Sequence, residues 1–362
     1  MLYNDYGTTG KQLSAIGCGG MRLPNPQNHA EGIAVLHAAR RAGITYFDTA
    51  PYYCDDQSEL ILGEALRSMP PSSLPLYTSS KCSRPAAADF RRSLEQSLAR
   101  LGLSQITFFH LWCVMDPADW KSRVEGGALR EALQAKEEGL IGHVCVSTHM
   151  NGPEIAQLLA DHPEIEGVTL GTCAINFPYR QQGVDAARRL RRGVVAMNPL
   201  GGGLIPQHAD TFDFIRAPGD PDVVTAALRF LASDPGITTA LVGFSSEAHV
   251  AAAVGALADF VPHGPEHLEA IRARIQHDFN EMCTGCGYCL PCPQGIPIPR
   301  FMDVHNLMQL QADDNEIRAR FKYHWDMSPA QAAECVECGQ CESRCTQHLP
   351  IIARLRKLAA FK

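Results

Sequence analysis

The 362 residues leave room for one large domain of about 250 residues and a smaller second one. An apolar content of 45% supports a full core, and a formal charge of −7 offers no basic footprint for nucleic acid. No apolar run approaches the ~20 residues of a membrane span, and Met1–Asp5 lacks the basic start of a signal peptide. A cytoplasmic chain with neither nucleic-acid nor membrane partners is expected.

In chain order, residues 1–12 read as a short hairpin around Gly7 and Gly10, and Leu13 to Cys18 as the first core strand. Ile33, Leu36 and Ala39 recur at helical spacing, predicting a helix over 31–42 that Gly43 stops. The same alternation then repeats. Strand 44–48 precedes helix 58–67, strand 75–80 precedes helix 86–101, and strand 106–110 precedes helix 127–138. Strand 142–147 leads to helix 152–160, and strand 168–170 to helix 182–191. Strand 193–197 precedes helix 222–232, and strand 238–242 precedes helix 246–258. Eight strand-then-helix units predict an α/β fold, a closed (β/α)8 TIM barrel plugged by the hairpin, with helix 265–279 carrying the chain away. An open doubly wound sheet is the rival, and it wants Gly-x-Gly-x-x-Gly after its first strand. Gly17-Cys18-Gly19-Gly20-Met21-Arg22 lacks that spacing.

Three of these strands end in reactive groups. Ile44 to Phe47 runs into Asp48, a proline break and the pair Tyr52 and Tyr53. Leu76 to Ser80 stops at Lys81, and Ile106 to Phe109 stops at His110. A parallel barrel gathers such strand ends on one face, where active sites form. Taken singly, each of these side chains is more often a rim residue than a catalyst. Carbonyl reduction needs an acid for the developing alkoxide, and a phenol with a free pKa near ~10 is a poor one unless a cation sits beside it. The order Asp48, Tyr53, Lys81, His110 resembles the aldo-keto reductases, whose tyrosine lies five residues after the aspartate. That spacing selects Tyr53 over Tyr52, and the resemblance continues into Ser58-Glu59 and Leu62-Gly63. It implies Tyr53 as general acid, Lys81 as the cation, Asp48 as its holder and His110 as the group orienting the substrate oxygen.

The resemblance also implies an NADPH or NADH site. Cys145-Val146-Ser147-Thr148-His149 resembles the segment whose serine contacts the nicotinamide carboxamide, which makes Ser147 and Thr148 candidates. Met197-Asn198-Pro199-Leu200-Gly201-Gly202-Gly203 resembles the loop along the pyrophosphate, where glycines let backbone N–H groups approach phosphate. Gly243-Phe244-Ser245-Ser246, with His249, resembles the phosphate turn at a helix N-terminus. Thr172 stands where the family usually has a glutamine, and Met197 where many members have a ring-stacking aromatic. No Lys or Arg occurs from Ile237 through Phe260, where NADPH-preferring members place basic residues, so weak discrimination between the two nucleotides is expected. The loops that would choose the small-molecule carbonyl or alcohol substrate, 24–30, 112–124 and 207–222, match no readable pattern.

Cysteine is the compositional outlier: of 14, eight lie after residue 280 in two tight groups. Disulfides do not suit a cytoplasmic chain, so the grouping points to metal. The groups are Cys283-x2-Cys286-x2-Cys289-x2-Cys292 and Cys335-x2-Cys338-x2-Cys341-x3-Cys345. Triplets at x2 spacing set three thiolates around one concavity, and in two-cluster ferredoxins the fourth cysteine commonly reaches the other cluster. By that rule one 4Fe–4S cluster takes Cys283, Cys286, Cys289 and Cys345, and the other takes Cys335, Cys338, Cys341 and Cys292. Two zinc sites are the rival, although zinc ribbons use separated Cys-x2-Cys pairs. A polar helical stretch, 299–326, with Leu307, Leu310 and Ile317 on one side, separates the groups. The whole chain resembles aldo-keto reductases with a C-terminal ferredoxin-type domain, implying a barrel over 1–279 and a helical iron–sulfur domain over 280–362. Cys54, Cys82 and Cys113 read as soft space-fillers near the barrel mouth, with a redox-sensing thiol as the lesser alternative. Two functions stay open. One is an NAD(P)H-dependent carbonyl reductase or alcohol dehydrogenase. The other is an electron-transfer or redox-sensing protein, working with a redox partner protein, whose barrel turns over little.

Overall fold

The computed structural model describes residues 1–278, 282–310 and 312–361. Tyr3–Asp5 (β1) and Gln12–Ser14 (β2) pair antiparallel, and eight further strands close a parallel barrel. These are Ile16–Gly19 (β3), Tyr46–Asp48 (β4), Tyr77–Cys82 (β5), Ile106–Val114 (β6), Ile141–Thr148 (β7), Gly167–Gly171 (β8), Gly193–Met197 (β9) and Thr239–Gly243 (β10). β10 pairs with β3 and shuts the ring, so the expected TIM barrel is the fold observed. Helices wrap it with apolar faces inward. Ala87–Leu101 buries Phe90, Leu94, Leu98 and Leu101, then stops at left-handed Gly102.

The hairpin seals the end opposite the chemistry. Tyr6 is fully buried among Leu13, Tyr46, Phe108, Cys145 and Val195. A side chain at Gly167 or Gly193 would strike the Tyr6 ring, which accounts for both glycines. Among the described residues no helix is long and apolar enough to cross a membrane.

Several element limits differ from the sequence expectation. Leu13 to Cys18 is two strands: Leu13 pairs with Asn4 in the hairpin, whereas Ile16 pairs with Ala240 in the barrel. Lys81 lies inside β5 and His110 in the middle of β6, not where those strands stop. Polar residues point into the upper barrel while the ladder continues, so polarity there does not mark a strand end. β6 runs on to a bulge between Leu111 and Val114. A helix, Pro117–Glu125, occupies most of what reads as a loop, with the Asp116 side chain accepting from Asp119 N and Pro117 in its first turn.

The C-terminal module has its own core around Ile298, Phe301, Ile351, Leu355 and Leu358. The stretch expected to be one helix is broken. Ile298–Gln309 ends, Asp313 caps Asp314–Ala319 through a capping box with Glu316, and a wide turn, Arg320–His324, follows. Leu307 packs in the module core while Leu310 packs on the barrel, so the two do not share a face. The expected domain boundary, 279/280, lies outside the described residues. The module sits on the barrel mouth. Arg180 donates to Thr346 O (3.2 Å), His348 Nε2 lies 3.2 Å from His149 O, and a side chain at Gly202 would strike the Thr284 carbonyl.

Candidate active site

Parallel register brings Asp48 beside Ser79, and Lys81 beside His110. Ser79 and Lys81, two apart, face the same side of β5. Lys81 Nζ donates to Asp48 Oδ2 at 2.5 Å and to Thr49 O at 2.7 Å, and Ser79 Oγ donates to Asp48 Oδ1 at 2.7 Å. The pair is almost wholly buried. Burial pulls the Lys81 pKa down, and Asp48 pulls it back up. An ion pair so dry persists because its remaining hydrogen bonds are made.

His110 Nε2 lies 3.0 Å from Thr169 Oγ1, and its Nδ1 lies 3.3 Å from Ser79 Oγ. Burial, and next the Lys81 charge, hold its pKa down to about 3. The imidazole is therefore neutral and carries one N–H, as an orienting donor should.

Tyr52 and Tyr53 stand on a bend in which Tyr52, Cys54, Asp55 and Asp56 all have positive φ. Asp56 is held by Arg100 at 2.8 Å and accepts from Tyr52 N at 3.0 Å, which over-determines the bend. Tyr52 is 62% exposed. Tyr53 turns inward, its ring 5.0 Å from Lys81 Nζ and edge-on to Trp112 at 5.6 Å. Tyr288, from the cysteine module, faces the same mouth, its ring edge-on to His149 at 5.7 Å. Burial first, then Tyr288 and Asp48, hold the Tyr53 pKa well above its ordinary value. Burial thus outweighs the neighbouring cation, and the phenol keeps its proton.

The nucleotide candidates lie at the ends of β7 to β10. Ser147 is buried. Thr148 Oγ1 is committed to Val114 O at 2.9 Å, and Thr172 is buried just past β8. Met197, Pro199 and Leu200 lead from β9 into Gly201, Gly202 and Gly203, all at positive φ. Ser246 caps helix Glu247–Gly255, accepting from His249 N, while Ser245 Oγ lies 3.1 Å from His249 Nδ1. One basic group escaped the sequence reading. Arg22 packs against Gly243, where an added Cβ would lie 2.9 Å from Arg22 Cγ. It also lines a cleft of about 1070 Å³ shared with Gly202, Thr284, Arg300 and Arg320. Consecutive left-handed glycines, a capped helix start and an arginine form a donor set that fits a dinucleotide's phosphates.

The eight module cysteines line two cavities in the crossed pattern expected. Cys283, Cys286, Cys289 and Cys345 line one. Cys292, Cys335, Cys338 and Cys341 line the other, with Cys289 at its edge. Burial pushes the Cys283 and Cys289 thiols up to about 12. Eight sulfurs around two hollows fit iron–sulfur clusters. Near the mouth, burial also pushes Cys113 up to about 12, Cys54 Sγ lies 3.1 Å from Gly20 O, and Cys82 is buried. Protonated, enclosed thiols of this kind are poor redox sensors.

The aldo/keto reductase family model matches residues 15–273, and a 4Fe-4S dicluster domain model matches 282–350. L-galactose dehydrogenase of Arabidopsis thaliana is 25% identical over 308 residues, covering 75% of this chain and 93% of that one. A probable aldo-keto reductase of Glycine max is 28% identical over 210 residues, 54% of this chain and 59% of that one. Among solved structures, an aldo-keto reductase of Bacillus halodurans in its holo form has a TM-score of 0.63 at 20% identity, covering 75% of this chain and 96% of that one. One from Klebsiella pneumoniae in complex with NADPH has a TM-score of 0.62 at 22% identity, covering 76% and 96%. With the barrel, the site geometry and both matches in agreement, the chain belongs to the aldo/keto reductase family of oxidoreductases and carries a 4Fe–4S ferredoxin-type domain over its barrel mouth.

Proposed function

We propose that the protein reduces a small aldehyde or ketone, or oxidises the corresponding alcohol, with NADPH or NADH, and that its C-terminal domain holds two 4Fe–4S clusters. The observation that carries this is the buried Lys81–Asp48 pair against the Tyr53 ring, with neutral His110 beside it. When bound there, a nicotinamide nucleotide would supply the hydride. Tyr53, kept protonated, gives its hydroxyl proton to the developing alkoxide. Lys81, fixed by Asp48 and Thr49 O, offers a positive charge beside the phenolate that remains. His110 holds the carbonyl oxygen through its N–H. Ser147 is the carboxamide contact, Gly201–Gly203 the pyrophosphate cradle, and Ser245, Ser246, His249 and Arg22 the adenosine-phosphate end.

The barrel, 1–279, and the iron–sulfur domain, 280–362, are the two units of this reading. The cluster ligands are Cys283, Cys286, Cys289 and Cys345, and Cys335, Cys338, Cys341 and Cys292. A reducing cytoplasm would keep these eight thiols available to iron. Anaerobically purified protein should be brown and hold about eight iron atoms per chain. Colourless protein with about two zinc ions would overturn the cluster assignment.

A second reading, electron transfer with a weakly catalytic barrel, is favoured by one observation. The second cavity lies at the module surface, where Cys338 and Val336 are exposed and a redox partner could reach. Anaerobic assays of aldehydes with NADPH and NADH, alongside the cluster spectrum, separate the two. Turnover supports the first reading, and cluster reduction without turnover supports the second.

A further inference from the structure

Arg180 is a buried cation that the proposed reaction does not use. Its side chain is only 3% exposed. Nη2 donates to His149 O at 3.3 Å and to Thr346 O at 3.2 Å, and Nε has no partner. Among the described residues it pairs with no carboxylate. It stands at the N-cap of Gln181–Arg189, where the helix dipole adds positive potential and gives no relief. A buried charge without a counter-charge is costly, so one is expected nearby. The first cysteine cavity offers it. Thr346, whose carbonyl takes the Arg180 bond, follows Cys345 in the chain and itself lines that cavity. Its hydroxyl lies 3.3 Å from Cys286 Sγ. A single residue thus joins the guanidinium to two of the cysteines assigned to the first cluster. Pro299, Met302, Leu349 and Ile351 make the lining apolar, and no ionisable side chain other than cysteine lies on it. At the second cavity the lining carboxylate, Glu337, is met by Arg356 Nε at 2.7 Å, so charge there is offset locally.

We propose that Arg180 is the counter-charge of the cluster held by Cys283, Cys286, Cys289 and Cys345, a barrel residue that raises the reduction potential of a cluster in the other domain. The inference rests on the two-cluster reading. Four thiolates around a 4Fe–4S core leave net negative charge, and net charge is one of the levers on its potential. In the step concerned, one electron passes from a low-potential one-electron donor to the cluster. One ferric equivalent becomes ferrous, the donor is oxidised by one electron, and no bond or proton moves. Arg180 keeps its proton at every working pH, so it meets the added negative charge with a fixed positive one. At a side chain this buried, salt and water screen that attraction little. Arg180 also bonds to both domains, so its charge has to be separated from its part in docking.

The test compares anaerobic, iron-loaded wild type with Arg180→Met, Arg180→Gln and Arg180→Lys. Each is titrated with dithionite through mediator dyes, and each reduction step is followed by electron paramagnetic resonance. Cys286→Ser changes a ligand of the first cluster alone and so identifies the step that belongs to it. In Arg180→Met and Arg180→Gln that step should move to lower potential by about tenfold in the reduced-to-oxidised ratio, about 59 mV for one electron. The other step should stay in place. Arg180→Lys keeps the charge but loses the planar fork, and should recover most of the shift. A residue that only docks the module would leave both steps unmoved, or move them as far in Arg180→Lys as in Arg180→Met, and either result overturns the inference. Should Arg180→Met and Arg180→Gln fail to hold iron, retention by Arg180→Lys supports the counter-charge, and loss from all three overturns it. Wild type without iron, or without a reducible cluster signal, overturns the two-cluster reading instead, so the two failures are distinguishable.

Discussion

In the proposed reaction Tyr53 and Lys81 divide the work of one proton transfer, and their environments say how each should fail. Tyr53→Phe keeps the ring against Trp112 and Lys81 but removes the hydroxyl, so kcat should fall by ~10²–10⁴ while nucleotide affinity holds. Tyr52→Phe, at an exposed side chain on the same bend, should keep most activity. Steady-state kinetics on both variants decide whether the inward tyrosine is the acid; equal losses would sink the assignment. Lys81→Met removes the charge that stabilises the phenolate and strands a buried carboxylate at Asp48. It should match Tyr53→Phe in kcat and also lose about 3–5 kcal/mol of stability, the usual result of breaking a buried pair from one side. Iron content should be the same in all three, since none is a cysteine of the module. Arg22 carries a different expectation. The composition of 237–260 alone argues for weak choice between nucleotides, but an arginine packed on Gly243 reaches the proposed phosphate turn from the far end of the chain. A charge-assisted contact is worth about 1.5–3 kcal/mol, so Arg22→Ala should weaken NADPH about tenfold or more and NADH little. Equal weakening of both would place Arg22 on the shared pyrophosphate instead.

At the scale of elements, the barrel was legible because its signals are local and repeated. Helix 58–67 and strand 193–197 were found to the residue, since apolar periodicity and flanking turns are written within each segment. What escaped depended on pairing. Nothing local tells that the chain changes partner at Ala15, or that β6 passes through His110 to Val114, because buried parallel strands are apolar runs without alternation. The tetrad was legible from its order, whereas Ser79, Thr169 and Tyr288 around it were not, being ordinary residues made relevant by register and docking. The helix Pro117–Glu125 was findable from Asp116-Pro117 and was missed. The crossed cysteine pattern was legible because it is a covalent spacing rule; the seat of that module on the barrel mouth was not. That seat has a single-residue test. Gly202 has φ +73 and lies against the Thr284 carbonyl, so Gly202→Ala is strained and also pushes the module loop off the barrel. Limited proteolysis near residue 280 should quicken and NADPH binding should weaken, while Gly219→Ala, also at positive φ but facing open space, should cost stability without either effect.

Across the whole molecule, buried neutral histidines in the barrel and in the module set how the protein answers acid. His110 and His149 are held down to about 3 by burial, with Lys81 adding to the first and Arg180 and His348 to the second; His305, in the module, is held to about 4 by burial and Arg354. Each has a folded pKa below the unfolded value near ~6.5. Between pH 6.5 and the folded values, the unfolded chain binds protons that the folded chain refuses, so stability falls as pH drops through that window and is intact above it. One pH unit below 6.5, each such group costs about 1.4 kcal/mol, and three act together. The thermal midpoint should therefore fall by several degrees from pH 7.5 to 5.5, at about 2–4 °C per kcal/mol for chains of this order of size. His149 is the informative one. Its carbonyl accepts from Arg180 within the barrel and from His348 of the module, its ring meets Tyr288, and it does not touch the Lys81–Asp48 pair. His149→Gln cannot titrate, so the slope of the midpoint against pH should drop by about a third relative to wild type. Scanning calorimetry at constant ionic strength, with iron measured at each pH, reads both slopes. A wild-type midpoint that stays level down to pH 5.5 would mean that these rings find protons, or water, that burial should deny them.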